Sequence, residues 1–372
     1  MAVPAAGPAR RIGQHPRRLN SPSPGAATGR PFITIRRPTM RTRQSTRRGA
    51  LRKLAAGLGL LLPLAIAAPA MAADNYPSKP IRLVVGYPPG GSNDIAARII
   101  APELGQALGA SVVVENRAGA NGVIGADHVA KSEADGYTLL LSSISPIVLA
   151  PQTMKTPPFY APKAFKAVNM MALTPEAIAV GPKLSGVKSL KDLLDRAKTQ
   201  QITLSSSGTG GLPHLTIELL RKVQPNIVHV PYKGAGPAVT DTLGAHVDGI
   251  VMDLPPLYSL IKEKRLTPLA VTSEKRVDFL SDVPTAQEVL PGFNVENWVG
   301  IFAPAGTPDA VVAKLDAALR KAVAESKVKT LLADAAMAPA VLDSPQAFQK
   351  RLADDYVRWG KVIKDAGVEL SN

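Results

Sequence analysis

Apolar residues fall in short β-branched runs, and between the runs they recur every three or four positions. Ile81-Arg82-Leu83-Val84-Val85, Ser111 to Glu115 and Thr138 to Leu141 read as strands. Helices are predicted between them, from about Asn93 to Leu108 and from Gly122 to Lys131, which gives a βαβαβ order. The alternation then resumes. Ile202 to Ser205, Ile227 to Val230, Gly249 to Met252 and Leu266 to Val271 read as strands, with helices from Pro213 to Val223, from Gly236 to Leu243 and near Pro256 to Lys262. This is a second α/β unit.

Between the units, Thr156 to Pro162 reads as an irregular loop, and Met170 to Val180 as strands that pass toward the second unit. After Pro291-Gly292, Val295 to Ala303 reads as a return strand. Helices at about Pro308 to Ala324, Lys327 to Met337 and Ser344 to Asp365 close the chain, and Pro102 is expected to kink or shorten the first helix. A second unit inserted in this way makes the chain cross twice between lobes, and two crossings make a hinge over a cleft. The expected lobes are residues 73–176 with 300–372, and residues 177–299. Each is expected to be a mainly parallel sheet flanked by helices.

The formal charge of +15 would suit a nucleic-acid partner if it were spread over the folded body, but it is concentrated at the N-terminus. Residues 1–72 hold 13 of the 44 basic residues and no acidic one, which leaves 31 basic against 29 acidic in the rest. A nearly neutral body supplies no basic face for nucleic acid. From Met40 the chain carries a basic stretch ending in Arg52 and Lys53, an apolar run from Leu54 to Ala68, and Ala70-Met71-Ala72. These are the parts of an export signal at residues 40–72, with cleavage expected after Ala72 and the mature protein in the periplasm. Thr46-Arg47-Arg48-Gly49-Ala50-Leu51 also resembles a twin-arginine signal, so the export route stays open. Residues 1–39, rich in Pro, Arg, Gly and Ser, lack hydrophobic periodicity. They are expected to be either a non-native extension ahead of the true start or a disordered one.

With no cysteine, the chain has no disulfide and no thiolate chemistry. His128, His214, His229 and His246 lack metal-ligand spacing, so no metal is expected. No cofactor is expected either.

The candidate chemistry lies where strands end. Gly86-Tyr87-Pro88-Pro89-Gly90-Gly91-Ser92-Asn93-Asp94 joins the first strand to the first helix, the edge at which open α/β sheets bind ligands. Its glycines let backbone N–H groups approach a ligand. Ser92 or Asn93 suits a helix cap, and the helix start favours an anion. Asp94 is also comfortable in a first helical turn without any function. Asn116 to Gly122 repeats the arrangement, with Arg117 suited either to a ligand carboxylate or to pinning its loop through Glu115. Ser142, Ser143 and Ser145 extend the polar edge. Ser205 to His214 supplies a facing loop, in which His214 reads as a structural histidine at a helix start, and Lys233 reads as solvated. No Gly-x-Ser-x-Gly elbow accompanies these serines.

Several segments together resemble the Bug family, the receptors associated with tripartite tricarboxylate transporters. They are Tyr76 to Arg82, the Pro-Pro-Gly-Gly-x-x-Asp loop ending at Asp94, Val114 to Ala120, Asp135 to Leu140, Val230 to Gly234, Leu269 to Ser273 and Ala303 to Pro308. The resemblance covers residues 76–372. It implies a two-lobed type II periplasmic-binding-protein fold in which backbone groups and ordered water hold a ligand carboxylate. Carried over by motif, it implies ligand-facing roles for Tyr87, Gly91, Asn93, Asp94, Ser206, Gly208, Thr209 and Asp253.

The expected function is capture of a small carboxylate for a membrane transporter, by a monomer with no catalytic residue and no nucleic-acid partner. Dicarboxylates, tricarboxylates, acidic amino acids and aromatic acids all fit this reading. A ligand sensor that signals to a membrane receptor shares every pocket feature. An exported hydrolase would need a nucleophile with a base in reach.

Overall fold

The computed structural model describes residues 75–366. The expected N-terminal extension, export signal and cleavage site lie outside the described residues. In the first half of the molecule, β1 (Ile81–Val85) leads into α1 (Ser92–Leu108), followed by β2 (Val112–Asn116), α2 (Val123–Ala130) and β3 (Thr138–Ser143). Two short turns, α3 (Ala150–Gln152) and α4 (Ala161–Ala164), precede the long strand β4 (Phe165–Val180). The second half runs α5 (Leu190–Ala197), β5 (Ile202–Ser206), α6 (Leu212–Val223), β6 (Ile227–Pro231), α7 (Ala235–Leu243), β7 (Gly249–Asp253), α8 (Pro255–Lys262) and β8 (Thr267–Val271). The return strand β9 (Glu296–Pro304) is followed by α9 (Asp309–Ala324), α10 (Ser326–Asp334), β10 (Ala338–Pro339) and α11 (Pro345–Ala366).

The strand order is β2-β1-β3-β9-β4-β7-β5-β6, with β8 and β10 added on β4. β1 pairs β2 and β3 in parallel, and β5 pairs β6 and β7 in parallel, as the βαβ alternation requires. The strands that link the two triplets run the other way: β9 is antiparallel to β3 and β4, and β4 is antiparallel to β7 and β8. Hydrophobic periodicity marks a strand but not the direction of its neighbour, so these pairings were not visible in the sequence. β4 changes partner between Pro175, opposite Glu296, and Glu176, opposite Asp253. The chain crosses back near Thr272, whose N–H donates to the Glu176 carbonyl and whose carbonyl accepts from Val295.

Pro102 does not shorten α1, which continues to Leu108 and ends on Gly109 in the left-handed region at φ 71°. Ala101, Leu104 and Leu108 are buried around the proline, so packing outweighs the one hydrogen bond it removes. α5, absent from the elements predicted above, is an amphipathic helix that buries Leu190, Leu193, Leu194 and Ala197 behind a Ser189 cap. Each half has a core of its own, and a further cluster joins them by packing Leu212 and Leu215 of α6 with Val84, Leu140 and Trp298. Ile81, Leu83, Ile100, Leu139 and Leu319 belong to one, and Ile178, Leu193, Ile202, Leu220 and Val251 to another. Trp298 on β9 stacks edge-on against Phe348 of α11 and donates to Asp355 at 2.8 Å, which anchors the C-terminal helix to the return strand. Among the described residues, no helix is long and apolar enough to cross a membrane.

Candidate functional site

Four strand-to-helix loops meet between the halves, because each parallel strand ends on the same edge of its sheet. The β1–α1 and β2–α2 loops touch directly: a Cβ on Gly86 would stand 2.5 Å from the Gly122 carbonyl oxygen, so only glycine lets the backbones come this close. Facing them are the β5–α6 loop and the turn after β6. Together they enclose a cavity of about 660 Å³ whose wall includes Tyr87, Asn121, Ser207, Gly208, Thr209 and Lys233. A smaller chamber of about 30 Å³ shares Tyr87, Pro88 and Ser207 with it and is closed by Ser92, Asn93, Ser145 and Asp253. Two further cavities, of about 490 and 940 Å³, are lined by none of these loop residues.

The halves are joined across the chamber. Ser92 Oγ donates to Asp253 Oδ2 at 2.5 Å, and Asn297 Nδ2 donates to Oδ1 at 2.9 Å. Burial raises the Asp253 pKa above the ordinary carboxylate value, although these two donors pull it back. Ser145 Oγ accepts the Leu212 N–H at 2.9 Å, which ties the segment after β3 to the first turn of α6. Tyr87 donates to Asn121 Oδ1 at 2.9 Å, and its own pKa is raised by burial and then by the Asp253 charge.

Of the residues expected to face a ligand, Tyr87, Gly208 and Thr209 line the larger cavity, and Tyr87, Gly91, Asn93 and Asp253 line the chamber. Asp94 lines neither. Its carboxylate accepts from the Gly90 N–H at 2.9 Å, Asn116 at 3.0 Å and Arg98 at 2.9 Å. Burial works to raise its pKa, but these donors outweigh burial and hold it below the ordinary value. Asp94 therefore braces the loop. Ser206 likewise turns inward: it is buried, 2.6 Å from His229 Nε2, and donates to the Gly208 carbonyl at 3.0 Å.

Neither Ser92 nor Asn93 caps α1, since Gly91 is the cap residue and Ser92 is committed to Asp253. Ser142 and Ser143 belong to β3 and are buried with Ser145; Ser143 and Ser145 line the chamber as part of the polar edge, whereas Ser142 donates to the Ser143 carbonyl. Arg117 pairs with Glu115 at 2.6 Å. His214 accepts the Gly210 N–H at 3.0 Å and stacks on His229 at 4.1 Å. Neither Ser206 nor His229 lines either cavity, and burial, then His214, pull the His229 pKa down to about 3. The contact braces the loop, since Ser206 Oγ also donates to the Gly208 carbonyl and accepts its N–H. Met154, and Ser207 and Asn121 within their loops, are wall residues that the sequence did not single out. Asn121 owes its position to the left-handed backbone from Gly119 to Gly122, which no spacing rule reveals.

Two α/β halves joined by a shared long strand, with glycine-rich loops facing one another over a solute-sized cavity, define a periplasmic binding protein. The chain belongs to the tripartite tricarboxylate transporter family receptors (TctC), whose family model matches residues 96–368. It is similar to protein BugT of Bordetella pertussis, 35% identical over 323 residues that cover 86% of this chain and 98% of that one. Among solved structures it is similar to an R. palustris protein with adipate, at TM-score 0.75 and 32% identity over 79% of this chain and 99% of that one. It is also similar to MatC from Rhodopseudomonas palustris with bound malate, at TM-score 0.73 and 28% identity over 77% and 100% of the two chains.

Proposed function

We propose that this protein captures a small carboxylated molecule between its two lobes in the periplasm and delivers it to the membrane subunits of a tripartite tricarboxylate-type transporter. The observation that carries the reading is the larger cavity's wall. It includes Gly119, Gly122, Gly208 and Gly234, no Asp or Glu, and Lys233 as its one charged side chain among the described residues. α1, α2 and α6 begin at the same loops, and helix starts favour an anion. The relatives solved with adipate and malate support the ligand class.

Tyr87, Gly91, Asn93 and Ser207, where the chamber meets the larger cavity, then surround the carboxylate, Gly208 and Thr209 line the rest of the ligand in the larger cavity, and Asp253 accepts a donor from the ligand or from water in the chamber. Residues 177–299 form the lobe that closes, turning about the crossings at Pro175-Glu176 and Thr272–Val295. The protein binds its ligand unchanged, since among the described residues the wall of the larger cavity holds no His, Asp or Glu to activate Ser207 or Thr209.

The test is a set of thermal melts of the refolded, ligand-stripped protein against a panel of carboxylates. A ligand at about 100 times its Kd adds about 2.7 kcal/mol, so one acid class should raise the melting temperature selectively. A folded protein indifferent to every acid would remove the basis for the proposal.

A further inference from the structure

Asn121 is held unusually firmly for a loop residue. Gly119, Ala120, Asn121 and Gly122 all have positive φ, at 141°, 46°, 51° and 91°. Glycine adopts this region freely and asparagine tolerates it, but for Ala120 it is strained. The excursion swings the Asn121 side chain across the cavity toward the opposite half, where a Cβ on Gly211 would overlap its amide nitrogen. Gly211 itself has φ −94°, so it needs to be glycine for space and not for conformation. From its own half, Tyr87 fixes the amide through Oδ1 at 2.9 Å.

After these provisions, the Asn121 amide nitrogen is buried and has no hydrogen-bond partner. A buried donor without an acceptor costs free energy, and native chains rarely keep one without a use. Lys233, across the same cavity, adds positive charge near any acceptor that enters.

Building on the proposed carboxylate binding, we infer that Asn121 reads the far end of the ligand: its amide N–H donates to an oxygen there. The cavity therefore selects acids with a second acceptor, a carboxylate or hydroxyl, over analogues of the same length that lack it. Asn121 is a specificity-determining residue in this role, and Tyr87 and Gly211 position it.

Isothermal titration of wild type, Asn121→Gly and Asn121→Asp against a panel of diacids, hydroxy acids, amino diacids and aromatic acids tests this. Each acid is paired with the analogue lacking the far oxygen. Glycine suits φ 51°, and aspartate keeps the shape and the Tyr87 contact, so neither substitution should unfold the loop. The wild type should prefer the acid with the far oxygen. Asn121→Gly should weaken that acid about tenfold and leave its analogue within about twofold, so that the preference collapses. Asn121→Asp should weaken a diacid further, because two anions then meet, and spare ligands with an amino group at that end.

Unchanged affinities, or equal loss for both members of a pair, would overturn the inference while leaving carboxylate binding intact. A wild-type protein that binds no acid of the panel would overturn both.

Discussion

Ser92 Oγ and Asp253 Oδ2 are 2.5 Å apart, one in the first turn of α1 and the other at the last residue of β7. The contact joins the two halves at the chamber and gives a buried carboxylate one of its two donors. Ser92→Ala leaves Asp253 with Asn297 alone. Leaving a buried carboxyl short of a hydrogen-bond partner costs about 1–3 kcal/mol. The melting temperature of the unliganded variant should therefore drop by several degrees. No drop would mean that the halves do not hold this contact without a ligand.

Much of this architecture was legible because its boundaries are chemically marked. α1 ends at Gly109 and α6 begins with Pro213 in its first turn, so helix limits read from glycine and proline fall within about two residues. The edge at which ligands bind also followed, since loops after parallel strands share one side. The finer site did not. Asp94 looks the same in sequence whether it faces a ligand or braces a loop, and the deciding partner, Asn116, is 22 residues away. Ser206 and Ser207 are adjacent and alternate sides, so a one-residue choice sends one to His229 and the other to the cavity.

Glu176 sits fully buried where β4 changes partner, with Thr216 donating to its carboxylate and Asp253 opposite it on β7. Burial, then the Asp253 charge, raises its pKa well above the ordinary 4.5. The folded state thus keeps a proton that the unfolded chain releases, so its contribution is complete below about pH 4.5 and is lost as pH rises toward the folded value. Glu176→Gln should remove that loss and flatten the melting temperature above pH 4.5. The gain approaches about 1.4 kcal/mol for each pH unit between the two values. A variant whose pH profile parallels the wild type would contradict the assignment.

The stacked histidines act at the acid end. Burial and His214 take the His229 pKa from 6.5 to about 3, so the unfolded chain binds a proton that the folded protein refuses. Its stabilising contribution is present above pH 6.5 and is lost as pH falls toward 3. His229→Asn, which keeps a polar partner for Ser206, should shallow the decline in melting temperature over this window. An equally steep decline would place its origin elsewhere, for instance in His214 or in carboxylates such as Asp94.

Lys233 is exposed at the rim of the larger cavity, so its effect on an anionic ligand should be long-range and screened. Lys233→Ala should weaken a carboxylate by about threefold at low salt, mostly through slower association. The difference should fade above about 0.5 M salt. Stopped-flow binding at two ionic strengths checks both parts. A large, salt-independent loss would mean that the ammonium contacts the ligand directly.

Gly211 and Asn121 occupy one space from opposite halves, and this makes their relation testable without knowing the ligand's structure. Gly211→Ala places a methyl group where the Asn121 amide lies, and at φ −94° the backbone offers no objection of its own. The variant should fold and yet weaken binding about tenfold or more, since the displaced amide loses both its donor position and the Tyr87 contact. In an Asn121→Gly background the obstruction is gone, so adding Gly211→Ala should cost almost nothing further. Residues in contact couple by about 0.5–3 kcal/mol in such a cycle, whereas independent ones add within a few tenths. Additive losses would therefore show that the loops do not meet in the bound protein, whereas strong coupling would place Asn121 against Gly211 when the ligand is held.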